Sequence, residues 1–401
     1  MRKITRWVAG PLALATATLG VALVAGPTAG AAKAAPYKLG IVTEKTGIYS
    51  AYVQEWLQGM QIGLQYATKG TMAVNGHPIK LTIDDNQDNP TTAATDFKSL
   101  VGAGYKIIGG TADSGIADEL APLAAQNKVL YISGAAADDQ LTGINRYTFR
   151  SGRQAYQDVT ASEGYIKALG KGKNVVVLAQ DYAFGQSYIA DATKAFQAMG
   201  DTVTPIAVPL TTTDFTPVAL QVAQDKPDVV FLAWAGTTGA ALAQSLDQAG
   251  VFTSAAVITG LANIATYKFY GTAGLKFHYI SLYNYQSPHN AVNNFLISRE
   301  RAQYHTVPDL FAADGFVWSE MAVHALAAGN GTNVAKMIKA LEGWTFQAPK
   351  GTQTIRKSDH AMLQPMFLVT LVQSVTGDYV PVTTATLSAT TTAPPISAHF
   401  G

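Results

Sequence analysis

Nine short apolar runs, separated by stripes of helical period, most constrain what this chain can become. They read YKLGIV to Val42, IKLTID to Asp84, YKIIGG to Gly110, KVLYIS to Ser133, NVVVLA to Ala179, VTPIAV to Val208, DVVFLA to Ala233, AAVITG to Gly260 and FHYISL to Leu282. Most are continuous and β-branched, as in strands buried on both faces of a parallel sheet. Between them, Val53, Leu57, Met60 and Leu64 recur at helical spacing, as do Ile116, Leu120 and Leu123. Ile189, Ala192, Phe196 and Met199 form a third stripe, and Leu242, Leu246 and Ala249 a fourth. Helix starts are signalled by Pro90 after Asn89, by Ser114, and by Thr216-Pro217. Strands alternating with helices imply right-handed βαβ units.

The 401 residues suggest two domains. About half of the units precede Phe149 and half follow Asn174, so the expected fold class is α/β, with two doubly wound parallel-sheet lobes of similar size. After Leu282 the sequence turns helical, with a late strand at MFLVTLV. The Thr/Ala/Pro-rich stretch from Pro381 reads as a disordered tail, taken as residues 383–401.

The N-terminus has its own grammar. Arg2, Lys3 and Arg6 precede an alanine-rich apolar stretch containing Pro11, and A-x-A sites follow at Ala29–Ala31 and Ala32–Ala34. This predicts a cleavable signal peptide over residues 1–34 and a periplasmic or secreted protein. Its removal takes four cations, Arg2, Lys3, Arg6 and Lys33, and the formal charge from +1 to −3. Such a balance gives no reason to expect nucleic acid. With no cysteine, there is neither a disulfide nor a lipid attachment site, and a packed core must supply the stability.

Motifs for catalysis are missing. There is no G-x-S-x-G elbow, no phosphate loop and no dinucleotide fingerprint around Gly102 and Gly104. The seven histidines are scattered, and DDNQD at Asp84–Asp88 lacks the rest of a calcium loop, so neither an enzyme, a metal nor a cofactor is expected. In such sheets, ligands sit beyond the carboxyl ends of the strands. The loops there read TEKTGIYSAY, GGTADSG, SGAAADD, QDYAFGQS, AWAGTTG and TGLANIA. Small residues let backbone approach a ligand, and isolated aromatics supply apolar faces. Six loops of one character point to a cleft between the lobes.

The ordered set KLGIVTEKTGIYSAYVQEWLQGMQIGL, DDNQDNPTTAATDFKSLV, IIGGTADSGIADELAPLAAQNKVLYIS, LTGINRYTFRS, VLAQDYAFGQSYIAD, PDVVFLAWAG and IRKSDHAMLQPMFLV resembles the type I periplasmic binding proteins, in the leucine/isoleucine/valine-binding branch serving ABC importers. The resemblance covers Tyr37 to about Val382. It implies two lobes joined by crossovers near Arg153, Tyr283 and Asp359: residues 37–153 with 284–358, and 154–283 with 359–382. It also implies a monomer that captures a small molecule by hinge closure and delivers it to a membrane permease. A sensor on the same fold is the alternative.

By motif position, the resemblance implies ligand-binding roles for Tyr49 and Tyr52 at the cleft rim and for Asp113 or Ser114 after the GG strand. Ala135 and Ala136 fall in the turn that reads S-P-G-A-T in the family. Phe184 replaces the tyrosine of a YG pair, Trp234 is the second-lobe aromatic, and Thr259 to Leu261 occupy the loop that carries an acid in amino-acid binders. Two departures stand out. The turn holds alanines where the family holds a ligand carboxylate by a hydroxyl, and TGLANIA has no acid for an ammonium. An unpaired buried ammonium is costly, so a small carboxylate or amide is expected in place of an ordinary α-amino acid. The turn is expected to offer backbone N–H groups, with Ala136→Ser narrowing the pocket and Asp138 and Asp139 facing solvent or starting the next turn.

Overall fold

The computed structural model describes residues 34–397. The predicted signal segment lies outside them, except for Ala34. The first sheet is built on β1 (Tyr37–Thr43), β2 (Ala73–Val74), β3 (His77–Asp85), β4 (Ile107–Gly110), β5 (Leu130–Ser133) and β6 (Thr148–Arg150), in the order β2-β3-β1-β4-β5-β6. All its pairings are parallel except the short β2–β3 hairpin. Helices α1 (Ser50–Ala67), α2 (Pro90–Gly102) and α3 (Ser114–Asn127) make the connections. The Asn89 side chain caps α2 by accepting the Thr92 amide at 3.0 Å, with Pro90 in the first turn. At α3 the cap is Asp113, not Ser114: its carboxylate accepts the Ile116 amide at 2.9 Å.

Past Arg150, the chain crosses to a second sheet through α4 (Ala155–Ala168). There β7 (Asn174–Gln180), β8 (Thr202–Val208), β9 (Val229–Ala233), β10 (Ala256–Gly260) and β11 (Phe277–Ser281) pair in parallel. Between them run α5 (Ala183–Ala198), α6 (Thr216–Gln224), α7 (Gly239–Gln248) and the short α8 (Val251–Ser254) and α9 (Tyr267–Tyr270). All nine predicted runs are therefore strands.

The chain then returns to the first lobe. Helices α10 (Ala291–Tyr304) and α11 (Ala312–Gly329) pack on α1, and α12 (Val334–Leu341) packs on α11. Helix α11 is apolar around most of its circumference, and accordingly 14 of its 18 residues are buried. It meets α1 backbone to backbone. A Cβ on Gly59 would lie 1.9 Å from the Ala312 carbonyl oxygen, and one on Gly315 1.9 Å from that of Trp56. Each helix thus supplies the glycine that the other requires.

A small antiparallel sheet of β12 (Thr345–Ala348), β13 (Gly351–Ile355) and β14 (Met362–Leu363) precedes the last crossing. Then β15 (Met366–Gln373) joins β11 antiparallel, and β16 (Tyr379–Leu387) pairs with β15. The expectation of a disordered tail from residue 383 is corrected here. Thr383 to Leu387 belong to β16, whose ladder to β15 satisfies their backbone despite a loop-like composition. Arg356 then anchors the chain by donating to the Pro394 and Pro395 carbonyls at 2.6 and 3.0 Å.

Candidate functional site

The carboxyl ends of both sheets face one cleft, closed by direct contacts between the lobes. The Gly236 amide donates to the Tyr52 hydroxyl at 3.1 Å, and the Ile264 amide to Asp309 at 2.7 Å. Asn263 donates to Glu55, and the Asp139 amide to the Ser187 hydroxyl at 3.1 Å. Inside lies a cavity of about 80 Å³. A single water needs only about 10–15 Å³ on the same measure, so the space suits a small organic molecule.

Eight of the lining side chains form a closed chain of pairwise contacts. Tyr49 lies 6.4 Å from Tyr52, ring centre to ring centre, and Tyr52 4.9 Å from Phe311. The Arg153 guanidinium sits 5.8 Å from the Phe311 ring centre. Arg153 Nε pairs with Asp158 at 3.1 Å, and Asp158 accepts the Tyr188 hydroxyl. Tyr188 packs 4.6 Å from Phe184, Phe184 5.6 Å from Tyr182, and Tyr182 6.4 Å from Tyr49. Leu261, Leu282 and Trp234 add apolar surface, and the Trp234 indole N–H is satisfied by the Thr238 hydroxyl at 2.9 Å.

Arg153 is the cation of this wall and is only 8% exposed. Its Nη1 donates to the Ala135 carbonyl at 3.0 Å and its Nε is held by Asp158, while no protein acceptor among the described residues engages Nη2. Burial works against its charge, but the Tyr188 hydroxyl and the Asp158 carboxylate outweigh that and hold its pKa above the ordinary arginine value. A second pair backs it: buried Lys350 contacts buried Asp314 at 2.5 Å.

Six of the predicted site residues line the cavity: Tyr49, Tyr52, Ala135, Phe184, Trp234 and Leu261. Four lie off it, each held by a structural bond. Asp113 caps α3, and the buried Ser114 hydroxyl accepts the Ala137 amide at 3.2 Å. Ala136 packs among Val42, Ile108 and Tyr131, so a serine there would enter the core and leave the pocket unchanged. The Thr259 hydroxyl donates to the Leu232 carbonyl at 3.0 Å, bracing neighbouring strands. Arg153, Asp158, Tyr182, Tyr188 and Phe311 escaped the motif carry-over. A signal for the first two existed in R-S-G-R-Q-A-Y-Q-D, where two arginines and an acid follow a strand end.

The alanine turn also differs from expectation. The amides of Ala135 and Ala136 both donate to the Thr111 carbonyl, at 3.1 and 3.3 Å, so these N–H groups are already used. Glu44 takes the next amide, Ala112, at 2.8 Å, and burial pushes its carboxyl up to about 7. Asp138 starts a short turn, as expected of it, yet is wholly buried rather than solvent-facing. Its carbonyl accepts Arg150 Nη2 at 2.6 Å, and Asp139 accepts from Gln154.

Two carboxyl pairs form around that turn. Asp118 meets Asp138 within the first lobe, and Asp191 of α5 meets Asp139 across the cleft. Burial and then the facing carboxyl push Asp118 and Asp191 each up to about 9. A proton shared within each pair satisfies oxygens of Asp118, Asp138 and Asp191 that otherwise lack a partner. In the unfolded chain an aspartate titrates near ~3.9, so between about pH 4 and pH 9 the native state holds a proton that the unfolded state has released. Stability from this group is therefore expected to fall as pH rises through that window. Asp191→Asn is expected to flatten the dependence, as thermal melts from pH 5 to pH 9 will check; equal slopes in both proteins would contradict it.

Comparison with known proteins agrees with this architecture. The family described as periplasmic binding protein matches residues 36–376. The crystal structure of an ABC-type branched-chain amino acid transporter from Rhodopseudomonas palustris CGA009 is 32% identical, covers 90% of this chain and 99% of its own, and superposes with a TM-score of 0.74. The Leu/Ile/Val-binding protein BraC3 of Rhizobium johnstonii is 26% identical over 240 residues, 58% of this chain, and the match spans 62% of BraC3. A solute binding protein of R. palustris in complex with 4-hydroxybenzoate shares the fold at 19% identity, with 88% of this chain and 97% of its own covered and a TM-score of 0.81. The chain belongs to the periplasmic binding protein family, type I, in its Leu/Ile/Val-binding branch.

Proposed function

We propose that this chain is the extracytoplasmic solute-binding component of an ABC importer. It captures a small organic carboxylate with a flat, apolar body, encloses it between the lobes and presents the closed form to a membrane permease. It acts as a monomer, in the periplasm or secreted, without a lipid anchor and without catalysis. The observation that carries this reading is the aromatic circuit interrupted by one buried guanidinium whose Nη2 has no protein acceptor among the described residues. An aromatic wall stacks on a flat ligand, and a guanidinium is the donor best matched to a carboxylate. Contacts from both lobes supply the differential affinity that closure requires. The names of the relatives support import, and the 4-hydroxybenzoate complex shows that this fold accommodates an aromatic acid.

One observation favours a second reading, a branched-chain α-amino acid. The acid absent from TGLANIA is present elsewhere in the cavity as Asp158. Its Oδ2 serves Arg153 and Tyr188, and its other oxygen has no protein donor among the described residues. Thermal shift followed by calorimetry separates the two readings. A ligand at 100 times its Kd stabilises the native state by about 2.7 kcal/mol, which a melt resolves. Stabilisation by benzoate or 4-hydroxybenzoate and not by leucine, isoleucine or valine is the expected result. Micromolar binding of any of the three amino acids, with silence toward aromatic acids, overturns it.

A further inference from the structure

Residues 388–397 run from the second lobe back to the first. Strand β16 ends at Leu387, opposite Met366 at the start of β15. A turn follows, in which the Thr391 amide donates to the Ser388 carbonyl at 3.0 Å, and Thr392 is wholly buried. Pro394 and Pro395 come next. Their rings fix φ and lower the entropy lost on ordering, and a run without N–H groups forms no ladder, so its carbonyls are free to accept. Arg356, which follows β13 of the first lobe, takes both carbonyls, at 2.6 and 3.0 Å, while it grips Asp359 at 2.8 and 2.6 Å. Beyond the prolines, the Ser397 amide donates to the Asp359 carboxylate at 3.1 Å, and its hydroxyl to the Thr142 carbonyl at 2.8 Å. Thr142 also belongs to the first lobe and closes the short turn that begins at Asp139, to whose carbonyl its amide donates at 3.0 Å.

We propose that this segment is a further tie across the hinge, beside the chain crossings, and that it holds the closed form of the cleft. The turn at Asp139 sets the direction. Its Asp139 amide docks on the Ser187 hydroxyl of α5 in the second lobe, and that hydroxyl donates in turn to Asp138 at 2.8 Å. This contact and the Ser397 bond stand at the two ends of one short turn. A motion that parts Asp139 from Ser187 therefore also pulls Thr142 from Ser397, and opening the cleft costs both. The same turn is braced against the first crossing. The Thr142 hydroxyl donates to Gln154 at 2.8 Å, and Gln154 donates to Asp139. The tie thus ends one residue from Arg153, the cation of the cavity wall. The proposal deepens the closure step of the reading above and is independent of which solute closes the cleft.

Spin labels test this directly, because the sequence has no cysteine of its own. Gln54→Cys on α1 and Gln244→Cys on α7, both exposed, place one label on each lobe. Double electron–electron resonance on the ligand-free protein then reads the distance between the lobes. Removing residues 388–401 is expected to raise the ratio of open to closed molecules about tenfold, the equivalent of one net hydrogen bond. Ser397→Pro, which removes only the two Ser397 donors, is expected to shift the ratio the same way by a smaller factor, and it keeps the test readable if the shortened chain folds poorly. Distance distributions unchanged in Ser397→Pro and in the truncation overturn the proposal, as does a shift of either toward the closed distance. The readout needs no ligand. A failure of aromatic acids to bind therefore overturns the carboxylate reading alone, and the distances decide this one.

Discussion

Arg153→Met is expected to weaken binding of an aromatic carboxylate by at least about 100-fold. Truncating one partner of a buried, hydrogen-bonded charge pair typically costs about 2–5 kcal/mol of binding, and each 1.4 kcal/mol is about a tenfold change in Kd. Among the described residues no other cation lines the cavity, so none of them can substitute. The same change strands Asp158, which loses its guanidinium and keeps only the Tyr188 hydroxyl. Stability is therefore expected to fall as well, by about 3–5 kcal/mol. Arg153→Met/Asp158→Asn separates the two effects. It is expected to recover much of the stability and none of the affinity, with calorimetry and urea unfolding as the measurements. Retention of native affinity by Arg153→Met would remove the carboxylate assignment.

Lys350→Met is expected to destabilise the fold by about 3–5 kcal/mol, because it leaves the Asp314 carboxylate buried and unpaired. Both side chains are fully buried. Burial lowers the lysine pKa and raises that of the aspartate, opposing the charge on each until the partner answers it. Lys350 also donates to Gln364 at 2.5 Å, and Gln364 accepts from Gln353 at 3.0 Å. A Cβ on Gly152 would lie 2.6 Å from Asp314. The pair therefore braces α11 against the first and last chain crossings. Lys350→Met/Asp314→Asn is expected to regain most of the loss, since neutral groups carry no comparable desolvation cost. Chemical denaturation midpoints at constant m will report it; additive losses in the double variant would show that the pair itself contributes nothing.

The alternation of strands and helices was legible because its cause is local. Runs such as NVVVLA and DVVFLA are buried on both sheet faces, and burial of that kind writes a continuous apolar word. Strand β16 was not legible for the converse reason. It sits at a sheet edge beyond β15, with alternate residues exposed, so VTTATL reads as loop until its partner is known. The cavity was half legible. Trp234 directly follows β9, Tyr49 caps α1, and Tyr52 and Phe184 sit in the first turns of the helices that follow β1 and β7, where the topology puts any ligand. Arg153, Asp158 and Tyr188 act through one another, from a crossing and from two helices, and no spacing rule joins them. The alanine turn misled because an alanine's N–H is visible in sequence while its acceptor is not; here Thr111 takes two of them.

The route of the chain between the lobes has a consequence for how the molecule comes into being. The first lobe lacks its central helix until α11 is available, and the second sheet leaves β11 unpaired on one side until β15 arrives. Neither half can finish from the N-terminal portion alone. Contacts such as α1 with α11 and α4 with β15 join residues some two hundred or more positions apart, a topology of high contact order, in which loop-closure entropy slows folding. A chain of this design stays unfinished until nearly all of it is present, and so remains threadable through a narrow passage for as long as its C-terminal strands are withheld.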